Sequence, residues 1–172
     1  MKRLSILRHA KSDWGTDEYG RHLDDIDRPL NKRGRRDAEA LGHLLAAEQL
    51  QPGKIISSTA KRARQTAELA GQAIGFKPED IEQEQELYLA SADRLLKTAS
   101  GCHNTISHLM LIAHNPGMTE LVNRVSNITL DNLPTCGLFC IEFGITEWSQ
   151  IHASTGTCVW HHYPKMKSPQ RL

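Results

Sequence analysis

Residues 7–15, LRHAKSDWG, set Arg8, His9, Lys11 and Asp13 directly behind a short apolar run, LSIL. A second run, KIISS, is followed by SSTAKRARQTAE with Arg62, and a third, HLMLIAH, ends in His114. Guanidinium forks match phosphate oxygens bidentately and keep their charge, so Arg8 and Arg62 are suited to hold a phosphoryl group. A neutral imidazole can act as a nucleophile, and His9 starts from a reference pKa of roughly 6.5 that two neighbouring guanidiniums would push down. A helix opening just after His114 would add backbone N–H donors for the same anion. Taken singly, each residue has an ordinary role: a hydrogen-bonded histidine behind a strand, or a solvated arginine in a first helical turn. Their chemistry depends on convergence, which the surrounding elements must supply.

Those elements alternate. RLSIL reads as a buried strand, and a polar loop from about residue 12 to 30 leads into a helical pattern with Ala38, Leu41, Leu44 and Leu45 on one face. A loop of that length inside a compact domain is usually functional or disordered. KIISS reads as the next strand, followed by a helix with Ala60, Ala63, Ala67, Ala70 and Ile74 at three- and four-residue steps. A weaker strand near Ile81 precedes a helix over residues 92–99, and then comes HLMLIAH. Asn115 suits an N-cap and Pro116 the first helical position. GLFCIEF and SQIHAST read as an antiparallel pair at a sheet edge, and the last dozen residues as irregular.

This pattern predicts one α/β domain over residues 1–172, in three layers, with a mostly parallel sheet, helices on both faces and an antiparallel edge. In such sheets ligands bind beyond the carboxyl ends of the strands. That rule brings Arg8, His9, Arg62 and His114 to one edge.

Composition excludes several other classes. With 21 Lys and Arg against 20 Asp and Glu, the net charge of +1 gives no global field for nucleic acid or acidic membranes. No window approaches the roughly 18 apolar residues of a membrane span, and the start has too few apolar residues for a signal peptide. Cys102, Cys136, Cys140 and Cys158 are scattered through a chain of 172 residues, long enough not to need stapling, and read as reduced. A cytoplasmic location is the expectation.

LRHA resembles the Arg-His-Gly signature of the histidine phosphatase superfamily, which includes phosphoglycerate mutases and acid phosphatases. LRHAKSDW, DRPLNKRG, SSTAKRARQTAE and LIAHNPG together resemble SixA-type phosphohistidine phosphatases over residues 3–125. The resemblance implies a phosphoglycerate mutase-like fold, His9 as a nucleophile that becomes phosphorylated, and Arg8, Arg62 and His114 as the phosphate pocket. It implies protein phosphohistidine as substrate, for example on a phosphorelay domain. Ala10 replaces the commonest glycine, and Thr59 stands where many relatives have proline and could cap the following helix.

Other features have weaker chemistry. Arg28, Lys32, Arg33, Arg35 and Arg36 read as a solvated face balanced by Asp24, Asp25 and Asp27, or as a rim for an acidic partner. Lys11, Ser12 and Asp13 could border the pocket. Cys136, Cys140, Cys158, His161 and His162 lack the compact spacing of a zinc site, and no cofactor or metal is expected. The superfamily usually draws a general acid from the region matching IEQEQELYLAS, where Glu86 is the candidate and a solvent-facing strand residue the alternative. Two rival functions stand beside the phosphohistidine reading: a phosphomonoesterase of a small phosphorylated metabolite, and a non-catalytic phosphoprotein-binding module. The second would be expected to lack His9.

Overall fold

A computed structural model describes residues 1–153 and 156–171. Four parallel strands form the middle and one side of a seven-stranded sheet: β1 (Lys2–Arg8), β2 (Lys54–Ser58), β3 (Glu82–Glu84) and β4 (His108–Ala113). β5 (Leu138–Phe143), β6 (Thr157–His162) and β7 (Gln170–Arg171) continue it antiparallel beyond β1. The spatial order is β3-β2-β4-β1-β5-β6-β7. The α/β class and antiparallel edge are as the sequence predicts.

β4 is buried at every position because both faces are covered, which is why its sequence is continuously apolar rather than alternating. Leu109, Leu111 and Ala113 share one core cluster with residues of α3 (Ala92–Ser100) and α4 (Gly117–Val125). Met110 and Ile112 face the other cluster, with Ala38, Leu41 and Leu45 of α1 (Lys32–Ala47) and Ala63 and Ala67 of α2 (Lys61–Gln72). Among the described residues no helix is long and apolar enough to cross a membrane.

The antiparallel edge differs in detail from expectation. Trp148–Ala153 forms 3-10 turns where SQIHAST reads as a strand, and residues 154 and 155 lie outside the described residues. The Trp148 side chain is fully buried and its Nε1–H donates to the Ile106 carbonyl at 2.8 Å, so a long-range contact sets the local shape. The partner of β5 is instead TCVWHH, residues 157–162, which begins just after SQIHAST and runs into the first two residues of the stretch read as irregular.

Two helix starts also shift. α4 begins at Gly117, with Pro116 rather than Asn115 as its N-cap, and the Met118 N–H is taken by the His114 carbonyl. Asn115 instead ties loops together: its Nδ2 donates to the Leu133 carbonyl and its Oδ1 accepts from Thr119. Thr59 does not cap α2; its hydroxyl donates to Gln85 Oε1 at 2.6 Å.

Candidate active site

β1, β2 and β4 are neighbours or next neighbours and run the same way, so their carboxyl ends open on one edge. Arg8, His9, Arg62 and His114 meet there and line a cavity of about 410 Å³ with Lys11, Ser12, Asp25, Arg28, Leu89, Asn115 and Thr135. The His9 and His114 rings lie 5.1 Å apart between centroids.

Each position is built from below. The strand delivers His9, and the Ala10 N–H donates to Thr66 Oγ, whose hydroxyl donates to the Arg62 carbonyl at 2.7 Å, fastening the end of β1 to the first turns of α2. The Lys11 carbonyl accepts from Asn31 N–H, and α1 comes so close that a Cβ on Gly34 would sit 2.0 Å from that oxygen. Asn31 caps α1 by accepting from Gly34 N–H. On the far side, a Cβ on Gly117 would meet the Ala90 carbonyl at 2.0 Å, so glycine lets α4 start against the loop before α3.

Hydrogen bonding fixes the tautomers. A carbonyl can only accept, so His9 Nδ1–H donates to the Ala10 carbonyl at 2.8 Å and the lone pair is left on Nε2. Arg62 Nε–H points at that lone pair from 3.3 Å. His114 Nδ1 accepts from Arg62 Nη2 at 3.3 Å, and its Nε2–H donates to Ser58 Oγ. Burial, helped by Arg62 and Arg8, lowers the His9 pKa to about 4 against the pull of the Ala10 carbonyl. Burial together with the His9 and Arg62 charges takes His114 to about 3. Both imidazoles are therefore neutral near pH 7.

The arginines differ in how they are held. Arg62 is almost wholly buried, with Nη1 donating to the Asp25 carbonyl and Nη2 to Asp25 Oδ2 at 2.9 Å. Arg8 Nη1 donates to the Leu133 carbonyl, while its buried Nε has no protein acceptor among the described residues. An anion in the cavity would complete the donor set of such a guanidinium.

The long loop after β1 supplies what sequence reading did not assign. Asp25, Arg28 and, from beyond β3, Tyr88 form a network: Asp25 Oδ2 accepts from Tyr88 O–H at 2.7 Å, and Oδ1 from Arg28 Nη1 at 2.9 Å. Arg28 also donates to Ser12 Oγ and lies over the Trp14 ring. Burial of the Asp25 carboxyl opposes ionisation, but the bonds from Tyr88, Arg28 and Arg62 outweigh it and hold the group well below the usual carboxylate range. Asp25 and Arg28, read from sequence as part of a solvated, charge-balanced face, are thus walls of the cavity. Lys11 and Ser12 border it as expected, and Asp13 instead accepts from Asn31 and Arg28.

Glu86 is elsewhere. It sits on a 3-10 turn, Gln85–Leu87, with an exposed carboxylate bonded to Arg94 at 2.7 Å, and it lines a separate depression with Lys54, Glu82 and Lys97. Asp25 is the one carboxylate among the lining residues of the histidine–arginine cavity. The cysteines and histidines of the second half do not gather: among the described residues no group of three His, Cys, Asp or Glu is placed to hold a metal.

The sequence profile of the histidine phosphatase superfamily (branch 1) matches residues 4–97. An uncharacterized chloroplastic protein from Arabidopsis thaliana is 31% identical over 169 residues, spanning 92% of this chain and 74% of that one. Among solved structures, a protein of Agrobacterium tumefaciens named for the phosphohistidine phosphatase SixA is 28% identical, with a TM-score of 0.76 over 95% of this chain and 99% of that chain. The protein histidine phosphatase SixA solved with tungstate shares the fold at a TM-score of 0.76 and 19% identity, over 92% of this chain and 95% of that one. With its profile match covering residues 4–97 and its α/β sheet shared with these structures, the chain belongs to branch 1 of the histidine phosphatase superfamily.

Proposed function

We propose that the protein is a phosphatase that works through a phosphohistidine intermediate on His9 and removes phosphate from phosphohistidine in a protein. His9 Nε2, the unprotonated nitrogen, attacks phosphorus in line; the P–N bond to the substrate imidazole breaks as the P–Nε2 bond forms, and the leaving imidazole takes its proton from solvent. Arg8 and Arg62 hold the equatorial oxygens, and the charge they place there is the main catalytic term, while neutral His114 accepts from Arg62 Nη2 and orients that guanidinium in the pocket. Water then attacks the phosphorylated His9 and releases phosphate, with Nδ1–H remaining on the Ala10 carbonyl throughout.

The observation that carries the substrate reading is the state of Asp25. The carboxylate that lines the cavity is held ionised by Arg62, Arg28 and Tyr88, so it has no proton to give a departing alkoxide. General acid catalysis is worth about 10² to 10⁴ in rate for such a leaving group. An imidazole leaves without it, because it can be protonated from water near neutral pH. The metabolite phosphomonoesterase would need a donor that Glu86, bonded to Arg94 outside the cavity, does not offer.

The test is a leaving-group series under one set of conditions. Phosphohistidine and phosphoramidate should turn over fastest, p-nitrophenyl phosphate next, and alkyl or sugar phosphates slowest by about 10² or more. Efficient hydrolysis of a sugar phosphate at a rate matching phosphohistidine would sink the reading.

A further inference from the structure

A second cavity, of about 240 Å³, opens beside the first and shares Lys11 and Thr135 with it. Its cationic walls come from three distant parts of the chain: Lys11 behind β1, Arg33 in the first turn of α1, and Lys165 in the segment after β6. No Asp or Glu stands among its lining residues. Asp37 lies 3.5 Å from Arg33 Nε, while neither Lys11 nor Lys165 has an acidic partner among the described residues. On a chain with a net charge of only +1, three cations around one cavity with no acidic lining residue are a local concentration of like charge. Like charges set together without a counter-charge repel, and an anion between them removes that cost.

The place is built rather than incidental. Lys11 is pinned by the Asn31 N–H bond to its carbonyl and by the close approach of Gly34. The opposite wall, Pro134 and Thr135, belongs to the segment that also supplies the Leu133 acceptor of Arg8, and Cys136 N–H bonds back to the Arg8 and His9 carbonyls. Tyr163 also lines the cavity, and the turn holding Lys165 is fixed by the Met166 N–H bond to the Tyr163 carbonyl. A group covalently attached to a phosphoryl in the first cavity has this second cavity as its neighbour.

We infer that Lys11, Arg33 and Lys165 form a second anion subsite, and that the substrate carries, besides its phosphoryl group, a second anionic group, carboxylate or phosphate, that seats there. This rests on the phosphatase reading for the identity of the first group. It adds a selectivity that the phosphoryl pocket alone cannot give: substrates with a nearby negative group are chosen over neutral ones.

Binding, rather than turnover, tests it, so that the outcome does not depend on catalysis. Fluorescent peptides carrying a non-hydrolysable phosphohistidine mimic flanked by Glu, or by Gln at the same positions, are titrated by anisotropy at low salt. Exposed charge pairs are each worth a factor of about 1.5 to 5, so the Glu peptide should bind about fivefold tighter. The advantage should shrink to under about twofold in the Arg33→Ala, Lys165→Ala double variant and with added salt. A competition arm compares an alkane bisphosphate with the matching monophosphate. Preference for the Glu peptide assigns the second anion to an acidic protein surface, and preference confined to the bisphosphate assigns it to a small molecule. Equal affinities in both arms, or a preference that survives the double variant, overturn the subsite. Failure of the phosphatase reading shows separately, as a mimic peptide that binds no better than its unphosphorylated form.

Discussion

His108 gives a test of the buried electrostatics that is independent of the cavity. It sits at the start of β4, buried, with Nε2 bonded to Ser5 Oγ at 2.8 Å. Burial, with the Arg3 charge, lowers its pKa from 6.5 to about 4, the Gln51 carbonyl pulling the other way. The folded pKa is below the unfolded one, so its stabilisation is complete above about 6.5 and is lost as the pH falls from there through about 4. At about pH 5 the unfolded chain is nearly fully protonated at this imidazole and the folded chain hardly at all. With 1.36 kcal/mol per tenfold change in proton affinity, the folded state loses about 2 kcal/mol between neutral pH and about pH 5 from this residue. That is a large part of an ordinary reserve of about 5–15 kcal/mol. Urea unfolding of wild type and His108→Gln at the two pH values measures it. Glutamine removes the titration, so the variant should lose about 2 kcal/mol less than wild type on acidification, whatever its stability at neutral pH. His9 and His114 titrate in the same sense and lower both curves alike. Equal losses in the two proteins, within about 0.5 kcal/mol, would refute the assignment of a buried neutral imidazole.

Other outcomes follow from the cavity. Replacing Arg62, or the His114 that orients it, by Ala should lower kcat/KM by about 10² or more, the scale of one preorganised donor lost or displaced, with the fold retained by circular dichroism. Glu86→Ala should change phosphohistidine turnover by less than about twofold, since its exposed carboxylate is spent on Arg94; a steady-state assay reads this, and a large loss would return Glu86 to the chemistry. Gly34→Ala puts a methyl 2.0 Å from the Lys11 carbonyl and should cost about 1–3 kcal/mol in urea unfolding, with reduced activity because the loop behind His9 must move.

The parts of the site legible in the sequence are those carried by periodic elements. Apolar runs locate β1, β2 and β4, helical spacing locates α1 and α2, and the rule that ligands gather at the carboxyl ends of parallel strands then brings together Arg8, His9, Arg62 and His114. Asp25, Arg28 and Tyr88 were illegible for the same reason: they lie on segments without periodicity, and their place is set by Arg62, which reaches Asp25 across 37 residues of chain. The counter-charge reading of Asp25 named its chemistry but not its partner. β6 failed differently. The register with β5 shifts between Cys140 and Ile141, so Cys158 pairs with Ile141 and Trp160 with Cys140. Two residues at strand spacing therefore enter opposite cores, and the two-residue alternation that marks a strand is erased by the bulge.

The central claim is that His9 Nε2 takes the phosphoryl group, and the most direct measurement is to trap it there. The protein mixed briefly with ³²P-labelled phosphohistidine protein and quenched in alkaline detergent should carry up to about one phosphate per chain, base-stable and acid-labile as a phosphoramidate is, and mapping to the peptide containing His9. The label should be absent from His9→Ala, which should not turn over. Label on any other residue, or normal turnover by His9→Ala, would contradict the mechanism.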